Sequence, residues 1–130
     1  MSYKIGGVGA DYGNHNLMYA RIKFAVATLF VEAAFKTLET MSIYMIGYDL
    51  NKPGQNYENL FTAIKKLSNN WWHCLDSTWL IKSDNTAVSI RDALRPHIDA
   101  SDELLVAKLS GEGAWAGFNE ECSVWLKQNL

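Results

Sequence analysis

The most informative segment of the chain is IYMIGYDL, residues 43–50. It is a run of apolar and aromatic residues with one carboxylate, Asp49, just before its last residue, and the turn residues NKPG at 51–54 follow directly. A short apolar run bounded by Pro and Gly is typical of a buried strand. We therefore predict an opening strand that delivers Asp49 to the edge of a sheet.

Length and composition suit one domain of ordinary size. The chain has 130 residues, of which 48% are hydrophobic and 12% are aromatic, and this is enough to fill a core. The formal net charge of -2 gives no general attraction for nucleic acid, since proteins that bind phosphate backbones usually carry a basic excess. Any bound nucleic acid therefore has to be held by a local basic patch.

The cysteines and histidines show no metal-binding spacing. Cys74 and Cys122 lie far apart, and the chain is too poor in cysteine for a secreted disulfide scaffold. We therefore expect reduced thiols in the core of a cytoplasmic protein. His15, His73 and His97 are scattered, and neither Cys-x-x-Cys nor His-x-x-x-His occurs.

The first forty residues differ in pattern from the rest. Residues 1–17 carry four glycines and little periodicity, which predicts an irregular arm. Residues 20–39 have the period of an amphipathic helix with an unusually wide apolar surface. The apolar run at 24–35 is about a dozen residues long, where a membrane span needs about twenty, and Glu32 interrupts it. We therefore reject a signal peptide or a membrane span and expect no membrane partner.

Two alternatives stay open for residues 1–40. In the first, the helix packs on the domain or on a second copy of the chain. In the second, the segment is a translated leader ahead of a true start at Met41, which stands immediately before the opening strand. In both cases the compact domain covers residues 41–130.

Hydrophobic periodicity predicts further elements after the first turn. They are a helix over 57–67 capped by Asn56, an extended region over 71–82 with an irregularity near Asp76, a helix from Ala87 that ends near Pro96, a strand over 103–109 and a terminal helix begun by Asn119. The helical segments repeat apolar residues with a period of 3.6, and the extended ones are rich in aromatic and β-branched residues.

The order of these elements from Met41 is strand, helix, extended pair, helix, strand, with an added helix at the end; the N-terminal helix precedes them. This order matches the ferredoxin-like split βαβ arrangement, which belongs to the α+β class. We predict one antiparallel sheet covered by two helices on one face. The other face also needs cover, so dimerisation through that face or a sheet edge is a natural solution.

Several short motifs resemble a known superfamily. IGYDL at 46–50 resembles the opening strand of the small CRISPR-associated adaptation nuclease-like family and of the related VapD toxin ribonucleases. Ser77-Thr78-Trp79 falls where those families have a Ser-Val-aromatic step, and DELLV at 102–106 resembles their fourth strand. The whole of this region is most similar to small bacterial proteins labelled "SinR family". The segments that carry this resemblance are YDLNKPGQNYENL, WWHCLDSTW and a Trp-x-Gly-Phe step. The resemblance covers residues 41–130.

The resemblance implies a homodimer that cleaves RNA with a divalent cation, Mg²⁺ or Mn²⁺. The two opening-strand carboxylates would face each other across an interface cleft, which makes Asp49 the metal ligand, with Asn51 and the Ser77 hydroxyl as neighbours. A hard cation prefers oxygen ligands, and one carboxylate per subunit leaves positions for water and phosphate. The arginine-rich stretch that the CRISPR-associated relatives carry after the Asp is replaced here by Lys52 and four uncharged residues.

Other candidate residues follow from side-chain chemistry. His73 is a candidate general acid beside Asp49 if their two strands are adjacent, because imidazole titrates near neutral pH. Lys52 is the basic residue expected nearest to a bound phosphate. A phosphate-facing patch on the helices would comprise Lys65, Lys66, Arg91 and Arg95. A solvent-exposed helix face would show the same basic residues without binding phosphate. His73 is equally compatible with a polar residue at the edge of the sheet.

Two functions of different class are compatible with these residues. The first is a metal-dependent endoribonuclease of the VapD or CRISPR-associated type, with catalytic residues Asp49, Ser77 and His73. The second is a non-catalytic dimeric ferredoxin-like scaffold or toxin–antitoxin partner, in which Asp49 only closes the turn that follows its strand. Cleavage of single-stranded RNA by wild type and by Asp49→Ala distinguishes them.

Overall fold

A computed structural model describes residues 12–130, apart from the side chains of residues 12–14 and 36–39. The chain divides into two units, with the boundary between Leu38 and Glu39. Residues 1–11 of the predicted irregular arm lie outside the described residues.

The described part of the first unit belongs to one long helix, α1 (Tyr12–Thr40), which ends two residues past the boundary. The helix predicted at 20–39 is confirmed, but the irregular arm is wrong from Tyr12 onward. A helix that has formed its first turn gains one hydrogen bond for each residue added, so Gly13 near the end does not stop it. Every described side chain of α1 is exposed.

Among the described helices, none combines the length and the apolar character needed to cross a bilayer.

The second unit is built on a four-stranded antiparallel sheet. Its strands are β1 (Ser42–Asp49), β2 (Trp71–Leu75), β3 (Thr78–Ser83) and β4 (Glu103–Lys108). Their order in the sheet is β2-β3-β1-β4, and every neighbouring pair is antiparallel. The predicted α+β class, the opening strand and the strand near 103–109 are confirmed.

Two helices cover one face of the sheet. The first is α2 (Glu58–Leu67), whose first amide binds the Asn56 side chain at 2.8 Å. The second is α3 (Ala87–Leu94), which Thr86 caps and which passes into a single 3-10 turn at Arg95–His97. Pro96 lacks the amide hydrogen that an α-helix would need there, so the predicted end of this helix is confirmed.

The main core lies between this face and the two helices. Alternate residues of β1 join the inner positions of β3, α2 and α3, and the buried members are Tyr44, Ile46, Tyr48, Leu60, Ile64, Trp79, Ile81, Ile90 and Leu94. Burying each large aliphatic side chain contributes roughly 1.5–3 kcal/mol. This layer therefore fixes β1 at the centre of the sheet.

The C-terminal helix α4 (Glu120–Asn129) covers part of the opposite face. Ile43, Trp72, Leu80 and Leu126 are buried there together, and Phe118 meets Trp72 edge-on at 5.1 Å. The two helices predicted on one face are α2 and α3. The added C-terminal helix, whose position the sequence does not predict, supplies part of the cover that we expect dimerisation to provide on the opposite face.

The hairpin of β2 and β3 contains a bulge. Trp72 pairs with Leu80 and Leu75 pairs with Thr78, so His73 and Cys74 together stand opposite the single residue Trp79. The turn at Asp76 and Ser77 follows immediately. The predicted break in the extended region is confirmed as this bulge and turn.

Cys74 and Cys122 form a disulfide that joins β2 to α4. Their Cα atoms lie 6.4 Å apart, within the usual range for a bridge. The expectation of two reduced thiols is therefore wrong, because a separation of 48 residues says nothing about which side chains face each other across the second core.

Candidate functional site

Asp49 is the last residue of β1, and its side chain is exposed. In the register of β1 and β4 it stands directly opposite Glu103, which is also exposed. Residues opposite each other on antiparallel strands have their side chains on one face, about 5 Å apart at Cβ. The end of β1 therefore presents two carboxylates together.

An open depression of about 400 Å³ lies beside Asp49. Its walls are Tyr48, Asp49, Leu50, Asp76 and Ser77. The β2–β3 turn is held against β1 there, because the Tyr48 amide donates to the Ser77 carbonyl at 3.1 Å and the Tyr48 hydroxyl donates to the Asp76 carbonyl at 3.2 Å. The structure thus brings Ser77 beside Asp49 and adds Asp76, a carboxylate that we did not predict.

The turn after β1 is closed by Asp102 and not by Asp49. One oxygen of the Asp102 carboxylate accepts from the Asn51 amide at 2.8 Å and from the Tyr57 hydroxyl at 3.0 Å. The other accepts from the Asp99 amide at 2.8 Å. Across the described residues, the Asp49 carboxylate has neither a hydrogen bond nor an ion pair, so it remains available to a ligand.

The donors around Asp102 hold it ionised. Desolvation raises its pKa, but the amides of Asp99 and Asn51, the Tyr57 hydroxyl and the Lys52 charge together bring the pKa below its ordinary value. The pKa of Tyr57 is raised by desolvation and by its hydrogen bond to the Asp102 carboxylate. The ionised Asp102 side chain therefore links the end of β1 to the start of β4 through hydrogen bonds.

Asn51 and Lys52 are both bound to the turn at 99–102. The Asn51 side-chain amide donates to the Ser101 carbonyl at 2.9 Å, and the Lys52 ammonium lies 3.5 Å from Asp99 Oδ2. Their polar groups thus contact the turn before β4. Their predicted roles beside Asp49 would require these contacts to be exchanged for contacts with a ligand.

His73 lies away from Asp49. The strands that carry them are not adjacent, since β3 stands between β1 and β2, and the condition that we set for a general acid is therefore not met. The imidazole stacks on Trp79 with ring centroids 3.8 Å apart and planes inclined by 10°. Its Nε2 atom is buried and has no hydrogen-bond partner among the described residues.

The four basic residues of the predicted helix patch have separate surroundings. The Lys65 ammonium lies 5.1 Å from the centre of the Trp71 ring, and Arg91 forms a two-pronged contact with Asp92 at 2.7 and 2.9 Å. Arg91 and Arg95 line one shallow depression, and Lys66 is exposed on α2. Only the two arginines are thus brought together by a shared depression.

Within residues 12–130, the described His, Cys, Asp and Glu side chains form no cluster of three that could hold a metal. Asp49, Asp76 and the Ser77 hydroxyl nevertheless offer the oxygen donors that Mg²⁺ and Mn²⁺ prefer. Mg²⁺ commonly binds through one or two carboxylates and takes its other ligands from water and substrate phosphate. The depression fits that mode and does not fit an all-protein metal cage.

Comparison of the chain with known protein families, curated proteins and solved structures finds no match.

Proposed function

We propose that this protein is a homodimeric endoribonuclease that requires Mg²⁺ or Mn²⁺, with Asp49 as the metal ligand. The observation that carries the proposal is the unbound Asp49 carboxylate at the end of a buried strand. An aspartate that merely closed its own turn would accept hydrogen bonds from the turn amides. Here the Asn51 amide donates its hydrogen bond to Asp102 and not to Asp49.

The chemistry assigned to the depression needs few protein groups. The Asp49 carboxylates of two copies would hold one shared cation with Asp76 beside them, and the Ser77 hydroxyl would donate a hydrogen bond to a phosphate oxygen of the RNA. A bound divalent cation supplies charge that stabilises the phosphate and activates a water molecule. The polar lining of this depression supports phosphodiester hydrolysis in preference to chemistry that needs an apolar pocket.

The proposed dimer would form at the end of the second sheet face that α4 leaves uncovered. Gly47 and the half-exposed Leu105 border a second depression with Asp49 and Glu103. A second copy seated there would bring the two Asp49 carboxylates towards each other, and a shared cation would relieve their repulsion. The strand order β2-β3-β1-β4, with a helix between β1 and β2 and another between β3 and β4, supports the ferredoxin-like assignment.

The test is cleavage of single-stranded RNA by wild type, Asp49→Asn and Asp84→Asn. Asp84 is a matched control because it is an exposed aspartate in the turn after β3 and, like Asp49, its carboxylate makes no hydrogen bond or ion pair with the described residues. We expect cleavage with Mg²⁺ or Mn²⁺, none with a chelator, a loss of at least about 100-fold in Asp49→Asn, and wild-type activity in Asp84→Asn. Equal activity in the two variants, or no metal-dependent cleavage by wild type, would contradict the proposal.

The second candidate is a non-catalytic dimeric module, and the exposure of α1 favours it. Phe24 is 77% exposed and Phe30 is 72% exposed. Ten large apolar side chains in the described part of α1 are exposed, which is typical of an interaction surface. On this alternative α1 binds α1 of a second copy, and the RNA assay finds no cleavage by any variant.

A further inference from the structure

A second cleft surrounds the disulfide at the edge of the sheet. It has a volume of about 260 Å³, and it is lined by Trp71, Trp72, His73, Cys74, Glu121, Cys122 and Trp125. Both cysteines are half-buried. Because one water occupies about 30 Å³, this space accommodates the thiol end of a small molecule beside the bridge.

We propose that Cys74–Cys122 is a thiol–disulfide exchange site that accepts a small, glutathione-type thiol through this cleft. The inference rests on the position of the bridge and is independent of the nuclease proposal. The chain has only these two cysteines, so no internal thiol competes and exchange requires an external partner.

The reaction is a two-electron reduction in two steps. A thiolate attacks one sulfur, which forms a mixed disulfide with that cysteine and releases the other cysteine as a thiolate. A second small thiolate then attacks the mixed disulfide. The products are two protein thiols, which take up protons from water, and one oxidised small disulfide.

The fold keeps other contacts between α4 and the sheet when the bridge opens. Leu126 is 3% exposed and Trp72 is 5% exposed in the second core. The Trp72 indole donates to the Cys122 carbonyl at 3.1 Å, and the Trp125 indole donates to Asn70 Oδ1 at 2.7 Å. Reduction is therefore expected to loosen the first turn of α4 without unfolding the domain, which is what a reversible exchange requires.

The location of the bridge also distinguishes it from a buried structural disulfide. It joins an edge strand to the last helix, so its opening displaces no element from the middle of the sheet. The cleft gives solvent access to this half-buried bridge, and accessible disulfides are more labile than enclosed ones. A small thiol can reach the bridge through the cleft, and opening the bridge disturbs only the terminal helix. Both features favour thiol–disulfide exchange.

Glu121 provides a test of the cleft as the route. Glutathione carries a net negative charge, and the Glu121 carboxylate lines the cleft, whereas its exposed neighbour Glu120 does not. Glu121→Lys should speed reduction by glutathione about fivefold, because a repulsive charge becomes attractive. It should change reduction by the neutral thiol 2-mercaptoethanol much less, and Glu120→Lys should stay close to wild type with both.

The experiment uses the full oxidised chain without denaturant and follows thiol formation by alkylation and intact mass. We expect two thiols per chain, a transient glutathione adduct and the stated difference between Glu121→Lys and Glu120→Lys. Amide hydrogen exchange should rise about tenfold in residues 120–130 on reduction and stay unchanged in α3. Thiols that appear only under unfolding conditions, equal effects of the two Glu variants, or unchanged exchange in α4 would overturn the proposal.

Discussion

Two aspartates at the exit of β1 have different tasks. Asp102 accepts three hydrogen bonds and closes the turn, which leaves the Asp49 carboxylate without a partner among the described residues. Asp49 stands out in the sequence because it ends an apolar run. The role of Asp102 does not show in the sequence, because its partner Asn51 is 51 residues away and only folding brings the two together.

The pH dependence of stability tests the different roles of Asp49 and Asp102. The folded state lowers the Asp102 pKa, so its stabilising effect is present above the unfolded value of about 3.9 and is lost as pH falls through the lower folded pKa. We expect Asp102→Asn to lower Tm at pH 7 and to match wild type in strong acid. Asp92→Asn, which removes only an exposed contact to Arg91, is the control. A Tm difference that is the same at every pH would contradict this account.

The sequence pattern predicts most helices and strands but does not predict how they pack against each other. The period of the apolar residues predicted α2, α3, β1 and β4, because helix and strand periodicities are properties of short segments. The same pattern predicted α4 but not the sheet face that it covers. The disulfide and the separation of His73 from Asp49 depend on that placement and on strand order, so the sequence did not reveal them.

The cover supplied by α4 can be tested with two positions on that helix. Leu126 is buried in the second core at 3% exposure, whereas Val124 is 42% exposed. Leu126→Ala should reduce the free energy of unfolding by about 2–5 kcal/mol through lost burial and a cavity, and Val124→Ala should change it by less than about 1 kcal/mol. Denaturant titration measures both values. Similar values for the two variants would mean that α4 does not cover the sheet as described.

For the whole molecule, the exposed apolar surface of α1 predicts self-association. Ten large apolar side chains in the described part of α1 are 45–77% exposed. Soluble monomers rarely expose so much apolar surface on one element, and such surface marks interaction sites. On the alternative of a non-catalytic module, we therefore expect copies of the chain to associate through this helix, whereas the proposed nuclease dimer uses the sheet face beside Gly47 and Leu105.

Sedimentation equilibrium of full-length variants tests the association. The double substitution Phe24→Glu and Phe30→Glu places charges in the apolar surface and should weaken association at least about tenfold. Glu32→Lys alters a charged position of the same helix and should leave association close to wild type. An unchanged mass distribution in the double variant would exclude α1 as the contact.

The most direct test of the central claim is the binding of Mn²⁺ to wild type, Asp49→Asn and Asp84→Asn, measured by electron paramagnetic resonance of the free ion. We expect one Mn²⁺ for every two chains of wild type and of Asp84→Asn, and at least about tenfold weaker binding to Asp49→Asn. Equal Mn²⁺ binding by all three proteins, or no binding by wild type, would contradict it.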